Sequence, residues 1–502
     1  MSKRIRTLIL SGVALVVLIG ALCAVLLAPA PETEEGNGTT ATTTTVPTLP
    51  ALLDKTAADK THTVKTVTVT HGDETYTVEA NADGLMCVTA YADLPRYADK
   101  IDTLLKALTK ITPVSLVKEN ATADEIAAFG FDKPQAAVSV TYEDGSTYAF
   151  EIGVADYGAK TDSYFREANG TTVYLIASSF VSQMTQPATA YIGRTMITAP
   201  TPREDDKTGK AQLMQLTLSG RAHAVPVTLR YKTAADEDKL AMLSPYIITA
   251  PYFRASDEQI TASWQTGLNT MSASGVVKVH PTTEDLKTYG LDDPATVAGF
   301  TLAVYNEDKE SGEVTTYDPV YYEVSVGNKT DGGDYYVMVK GTNIVYTVTT
   351  SYLPWLGYTY DTLTTKFLFL EYIVELSEIR LTLDGASHTL ALTHGKDDKG
   401  SATMDVLLDG TTAMDSAATR TLYQTWMGVY RLASAEGVTP SGEPLFAMSF
   451  TRAEEGGPSV DFAIYAHSAN RCLVWQADGD TYLVKASDVE TMLQATRTYL
   501  AG

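Results

Sequence analysis

The chain has 502 residues, 44% of them hydrophobic and 20% charged, and its 38 Lys+Arg against 61 Asp+Glu give a formal net charge of −23. That length suggests about three domains with real cores. The acidity excludes a nucleic-acid binder, which needs clustered Lys and Arg, and three cysteines exclude a disulfide scaffold and the multi-cysteine zinc modules.

Lys3, Arg4 and Arg6 precede an uncharged apolar run from Leu8 to Leu27, and Glu32, Glu34 and Glu35 follow it. As a helix this run would span about 30 Å, the thickness of a hydrocarbon core. The charge asymmetry predicts a single-pass anchor over residues 1–30, with the N-terminus cytoplasmic and the rest of the chain extracytoplasmic. Ala28-Pro29-Ala30 imitates a signal-peptide cleavage site, but the run is longer than a usual signal core and Pro31 is unfavourable there. Leu22 before Cys23 argues against lipidation. Every acidic residue lies beyond residue 30, so the acidity belongs to the exported portion. Residues 31–62, rich in Thr and Pro, read as a disordered tether that cannot offset its ordering entropy.

Beyond the tether the chain repeats itself. Thr122 to Pro134 (TADEIAAFGFDKP) recurs as Thr282 to Pro294 (TTEDLKTYGLDDP). Thr122 with Glu125, and Thr282 with Asp285, predict N-terminal capping boxes. Gly130 and Gly290 predict left-handed C-caps, with Phe131 and Leu291 packing back, and Pro134 and Pro294 forbid further helix. Strands alternate afterwards over Ala137–Tyr142 and Tyr148–Ile152 in one copy, and over Gly299–Tyr305 and Tyr321–Val326 in the other. Ile152-Gly153, Tyr164-Phe165 and Val173-Tyr174 then correspond to Val326-Gly327, Tyr335-Tyr336 and Val345-Tyr346.

Upstream of each capped helix, an amphipathic one is predicted: Tyr97, Ile101, Leu104, Leu105, Leu108 and Ile111 share a face, as do Ile260, Trp264, Leu268 and Met271. Hairpins precede both, Val64–Thr70 with Tyr76–Ala80 and Leu213–Leu218 with Val225–Tyr231. A third, degenerate unit has a hairpin around Asp384-Gly385, a helix marked by Leu422, Trp426, Val429 and Tyr430, and strands from Phe446 to Val484. It lacks the capped helix. The expected architecture is α+β, with tandem units of antiparallel sheet and packed helices at 63–200, 201–360 and 361–502, preceded by one transmembrane helix.

These residues resemble the bacterial family of the domain of unknown function (DUF) 4340, whose core is Tyr-Gly-Leu-x-x-Pro, a strand ending in Ile/Val-Gly, then Tyr-Tyr and Val-Tyr strands. Tyr289-Gly290-Leu291-Asp292-Asp293-Pro294 and its following strands match closely, and Phe129 to Pro134 match with aromatic substitutions. The resemblance covers about Val64 to Leu356 well and the remainder weakly. It implies a membrane-anchored extracytoplasmic protein, similar to auxiliary components of ABC-type export systems of the kind linked to gliding motility. It carries over no catalytic residue.

Reaction chemistry does not announce itself. The seven histidines (His62, His71, His223, His280, His388, His394 and His467) show no metal-ligand spacing. Gly327 to Asp334 lacks the alternating ligands of a calcium loop and reads as a turn. The 29 tyrosines suit strands and cores. Cys87 and Cys472 read as buried free thiols. No catalytic, cofactor-binding or metal residue is assigned and no cofactor is expected. The expected function is a non-catalytic binding or scaffold protein, an auxiliary of an ABC-type envelope transporter, with the membrane (through residues 8–27) and a transporter permease as partners. A cell-wall glycan- or peptide-binding module and a carboxylate-based envelope hydrolase are the alternatives.

Overall fold

Alternation of β-branched and polar residues makes the first strands: in VKTVTVTH the buried Val67 and Val69 face a core while Thr66 and Thr68 face outward. The computed structural model describes residues 49–502 except 157, 159–161, 234–235, 237–242, 258–267, 308–313 and 454–460. The expected anchor, Leu8–Leu27, lies outside the described residues. Among the described residues no helix is long and apolar enough to cross a membrane.

A lead-in strand, β1 (Leu53–Asp54), comes first. The first repeat contains β2 (Val64–His71), β3 (Glu74–Ala80), β4 (Met86–Val88), α1 (Ala98–Ala107), β5 (Lys110–Ile111), β6 (Ser115–Lys118), α2 (Ala123–Ala128), β7 (Ala136–Tyr142), β8 (Thr147–Ala155), β9 (Ser163–Glu167), β10 (Val173–Ile176) and α3 (Ser178–Met184). Its antiparallel sheet runs β4-β3-β2-β7-β8-β9-β10-β6. The edge strand β6 lies between the two helices in sequence yet pairs with β10, Ser115 opposite Leu175.

The second repeat, entered through β11 (Thr195–Thr198), contains β12 (Lys210–Ser219), β13 (Val227–Tyr231), β14 (Tyr246–Ala250), β15 (Arg254–Ala255), β16 (Thr270–Ser272), β17 (Gly275–Val279), α4 (Thr283–Tyr289), β18 (Thr296–Glu307), β19 (Val314–Lys329), β20 (Tyr335–Val339) and β21 (Ile344–Val348). Helix α5 (Tyr360–Leu363) leads out of it. The third contains β22 (Leu376–Leu383), β23 (Ala386–Lys396), β24 (Ala402–Leu408), β25 (Thr412–Met414), α6 (Ser416–Met427), β26 (Arg431–Ser434), β27 (Phe446–Arg452), β28 (Asp461–Ser468), β29 (Arg471–Gln476), β30 (Thr481–Lys485) and α7 (Ala486–Leu500). Their sheets run β15-β14-β13-β12-β18-β19-β20-β21-β17 and β25-β24-β23-β22-β27-β28-β29-β30-β26. The degenerate third unit thus shares the topology of the others, with one more strand than the first.

The capping boxes form as the spacing demands: Thr122 and Thr282 accept from the backbone N–H of Glu125 and Asp285, whose carboxylates accept in return. Gly130 (φ +82°) and Gly290 (φ +69°) adopt the left-handed conformation. The amides of Phe131 and Leu291 donate back to Ile126 and Leu286, closing a Schellman motif in both copies. Thr282→Ala is expected to cost about 1 kcal/mol in chemical denaturation, with Thr122→Ala behaving alike.

Three expectations need correction. Ordered structure starts before Thr63, because β1 pairs with β5 (Leu53 opposite Ile111) and Leu52 packs on the first core. Ile111 and Met271, expected on helices, lie in β5 and β16, while Ile260 and Trp264 lie outside the described residues. The polar stretch between Tyr305 and Tyr321 is not a simple insertion: β18 and β19 run on into it, with Asn306 opposite Thr315.

Residues Ala51–Gly502 form one compact unit. Each repeat has its own core, and the joints between them reuse one device. The lead-in segment of each repeat pairs with the residues just ahead of the edge strand that crosses the sheet (β6, β17 or β26): β1 with β5, β11 with β16, and Phe367 with Tyr430 as an isolated bridge. Leu94, Ile192, Met196 and Ile197, all before β12, are buried in the core of the second repeat.

Candidate functional site

Among the described residues, two of the places that gather polar groups or open space beyond what the repeats need for their own cores bear on function. The first is the joint between the second and third repeats. The Arg254 guanidinium, on β15, donates to both carboxylate oxygens of Asp478 at 2.7 and 2.8 Å, and its Nε lies 3.3 Å from Asp480. Arg431, on β26, donates to Asp480 Oδ2 (3.0 Å) and Asp361 Oδ1 (3.1 Å). Tyr360 of α5 donates its hydroxyl to the same Asp480 oxygen at 2.7 Å. Asp480 is fully buried and the Arg431 side chain is 4% exposed. The guanidinium of Arg431 stacks between the rings of Tyr360 and Tyr482, 4.7 and 4.5 Å from their centroids. Burial pushes the Tyr482 hydroxyl up to about 12, and the Tyr360 hydroxyl upward as well. Neither tyrosine offers a base at neutral pH. The cluster can hold two repeats in register.

Beside it lies a cavity of about 90 Å³, lined by Arg254, Arg431, Glu371, Gln476 and Tyr482 together with apolar side chains. Glu371 is the one carboxylate in that lining, and burial raises its pKa. A carboxyl that binds its proton more tightly folded than unfolded favours the folded state at low pH. That stability is lost as pH rises through the folded pKa. Glu371→Gln, which cannot ionise, is expected to be the more stable chain at neutral pH, and to show a flatter fall in stability as pH rises from about 4 to neutral. Urea melts across that range check it; parallel curves would mean that the carboxylate ionises at no cost.

The second place is a groove of about 1030 Å³ in the third repeat, between α6, α7 and β25. Asp415 caps α6 by accepting from the Ala418 amide at 2.7 Å, which starts the helix at the groove's edge. Trp426 and Leu422 of α6, with Met492 and Leu493 of α7, face the core. The opposite faces, carrying Ala418, Thr421, Gln494 and Thr498, are short or polar and line the open side. Such walls bind by shape and apolar contact. The hydroxyls of Thr421 and Thr498 donate to carbonyls of their own helices.

The histidines weighed from sequence are dispersed. His280 pairs with Asp93 (2.9 Å) across the first joint, and His388 pairs with Asp409 (2.9 Å). His71 and His394 contact backbone oxygens. His223 is buried near Thr296, and burial lowers its pKa. Among the described residues no group of three or more His, Cys, Asp and Glu could hold a metal ion. Gly327 to Asp334 crosses from β19 to β20, with Thr330 donating to Asp334. Cys87 and Cys472 are buried free thiols on different sheets. Tyr142, Tyr191, Tyr246, Tyr346 and Tyr482 are fully buried in or between cores.

Neither place was foreseen from sequence. Arg254, Tyr360, Arg431 and Asp480 come from four separate segments, and no local pattern in the sequence pairs them.

A family model described as Domain of unknown function (DUF4340) matches residues 88–213 and 248–438. The first match runs from β4 into β12 and the second from β14 past β26, so each takes in a joint as well as most of a sheet. No curated protein and no solved structure matches the chain.

Proposed function

Because these matches cover more than half of the chain, it belongs to the DUF4340 family, in tandem copies, and on that premise we propose that it is a non-catalytic binding or scaffold protein. In this reading it is anchored to the membrane through residues 8–27, faces the extracytoplasmic side, and serves as an auxiliary component of an ABC-type envelope transport system. One observation carries the scaffold part: the three repeats are joined by strand pairing and a buried ionic cluster into a single compact unit. Fixed spacing between surfaces suits holding partners, whereas catalysis asks for a site where reacting groups converge. The acidic surface keeps such a body soluble and repels anionic headgroups.

Copurification under mild detergent tests the reading, with the N-terminal segment intact. A transporter permease or ATPase is expected in the eluate; its reproducible absence would sink the auxiliary role. Deleting Leu8–Leu27 should release the protein from the membrane fraction, and a deletion product that still sediments with membranes would refute the anchor.

A further inference from the structure

A second cavity, of about 150 Å³, opens at the joint between the second and third repeats. Its walls come from the turn between β12 and β13, from Tyr252, from the start of α5, and from the end of β26 and the residues after it. His223, in that turn, is 6% exposed. Its amide donates to the Gly220 carbonyl at 2.9 Å, and its Nε2 lies 3.3 Å from Thr296 Oγ1. Its Nδ1 has no partner in the protein. A buried polar atom without a partner is costly, so one on a side chain that walls a cavity marks where a ligand atom is wanted. Burial lowers the His223 pKa, which leaves the ring neutral at pH 7. In the tautomer that donates Nε2–H to Thr296, Nδ1 is an acceptor. Two carboxylates stand on the more open walls: Glu436, which is exposed, and Asp361, whose side chain is 32% exposed. Arg431 donates to one oxygen of Asp361 at 3.1 Å. Burial, then Asp480 and Glu436, raise the pKa of the Tyr252 hydroxyl, which sets the Glu436 charge close to that ring. The rings of Tyr252 and Tyr360, 5.8 Å apart, complete the wall. Among the described residues no Lys or Arg lines the cavity.

We propose that this cavity binds a short alkyl chain bearing an ammonium at one end and a second hydrogen-bond donor at the other, a small diamine being the simplest case. The ammonium meets Glu436 and the second oxygen of Asp361, the methylenes and the charge lie against the tyrosine rings, and the far end donates to His223 Nδ1. Each part follows from the walls. Carboxylates with no lining cation select positive charge, and the volume takes about six non-hydrogen atoms. Among the described residues His223, Asp361 and Glu436 do not converge as ligands of a metal ion, so the occupant needs length and not a single centre. Such a ligand touches the second and third repeats together and tightens their joint. The site goes beyond the scaffold reading and does not depend on a transporter partner.

The probe is 1,4-diaminobutane, titrated into the full chain and followed by calorimetry. It should bind saturably, one per chain, and raise the thermal midpoint progressively with its concentration. 1,4-Butanediol, which lacks the charge, and n-butylamine, which lacks the second donor, should each bind at least tenfold more weakly. Glu436→Gln removes a carboxylate from the wall, and Ala224→Trp fills the cavity from its own wall; each should cost at least tenfold in diamine affinity. Both positions are exposed, so thermal unfolding without ligand should remain that of the parent. Unsaturable heat, as loose attraction to a chain of net charge −23 would give, overturns the proposal. So does equal binding of either control compound, or full diamine affinity in both folded variants. No heat beyond dilution overturns it as well, and makes the cavity a place for water only.

Discussion

Asp480→Ala is expected to cost about 3–5 kcal/mol, among the largest losses of any single substitution in the chain, because it removes one partner of a buried ion pair and strands the other. The Asp480 carboxylate is fully buried and serves three groups at once: Arg431, Tyr360 and the Nε of Arg254. Without it Arg431, 4% exposed, keeps only Asp361 as a charged partner, and the Tyr360 hydroxyl loses its acceptor. The residues come from both sides of the joint, so the effect should appear as lost cooperativity as well as lost stability. Urea unfolding of the variant should begin at a lower midpoint, and proteolysis should reach the connection between β21 and β22 first. Arg431→Ala should cost a similar amount. The double variant should cost clearly less than the sum of the two, since each single change already breaks the shared interaction. A single unchanged transition in Asp480→Ala would show that the joint is held by its apolar contacts alone. The first joint is a useful contrast. Its hydrogen-bonded pair, Asp93 with His280, has side chains 61% and 46% exposed, so Asp93→Ala should change stability by less than about 1 kcal/mol.

What the sequence could reveal depended on how far apart the interacting residues lie along the chain. The capped helices were legible because a capping box, a left-handed glycine and a proline act within thirteen residues of one another. Hairpins such as β2 with β3 were legible for the same reason. Edge strands β6, β17 and β26 were not, because each crosses to pair with the last strand of its sheet, as Val279 does with Ile344. Short strands such as SLVK carry no periodicity that would announce that crossing. The joints failed for a related reason: Leu53 opposite Ile111 and Ile197 opposite Met271 are long-range pairings of two- to four-residue segments. Extra polar residues between β18 and β19 misled in the opposite direction. Thr and Tyr at 315–317 are good strand formers, and a paired ribbon satisfies their backbone groups better than a loop would.

Gly153→Ala and Gly327→Ala are expected to be severely destabilising, and the third repeat explains why. Each glycine directly follows the last core residue of its strand, Ile152 in β8 and Val326 in β19, where the capped helix ends against the sheet. A Cβ on Gly153 would stand 2.1 Å from the Phe129 carbonyl oxygen, and one on Gly327 would stand 2.2 Å from that of Tyr289. Both obstacles are backbone atoms at the C-terminal end of α2 and α4, so no side-chain rotation relieves them. In the first copy the amide of Val154 also donates to the Phe129 carbonyl at 3.0 Å, which fixes the approach. The helix must lift off the strand, and overpacking of this kind costs about 1–3 kcal/mol, with the backbone obstacle placing it at the upper end. By register, Ile152 opposite Ala136 and Val326 opposite Thr296 correspond to Ile464 opposite Phe446. The residue after Ile464 is Tyr465. No capped helix arrives there, and a large side chain takes the place of the glycine. The close approach, and no property of the strand itself, therefore demands glycine. Tyr465→Gly should cost only about 1 kcal/mol, the entropic penalty of glycine in a strand with the loss of a half-buried ring added. Hydrogen exchange separates the cases: Gly327→Ala should expose the amides of α4 while those of β18 stay protected. Protection lost evenly across the second sheet would mean that the strand, and not the helix, gives way.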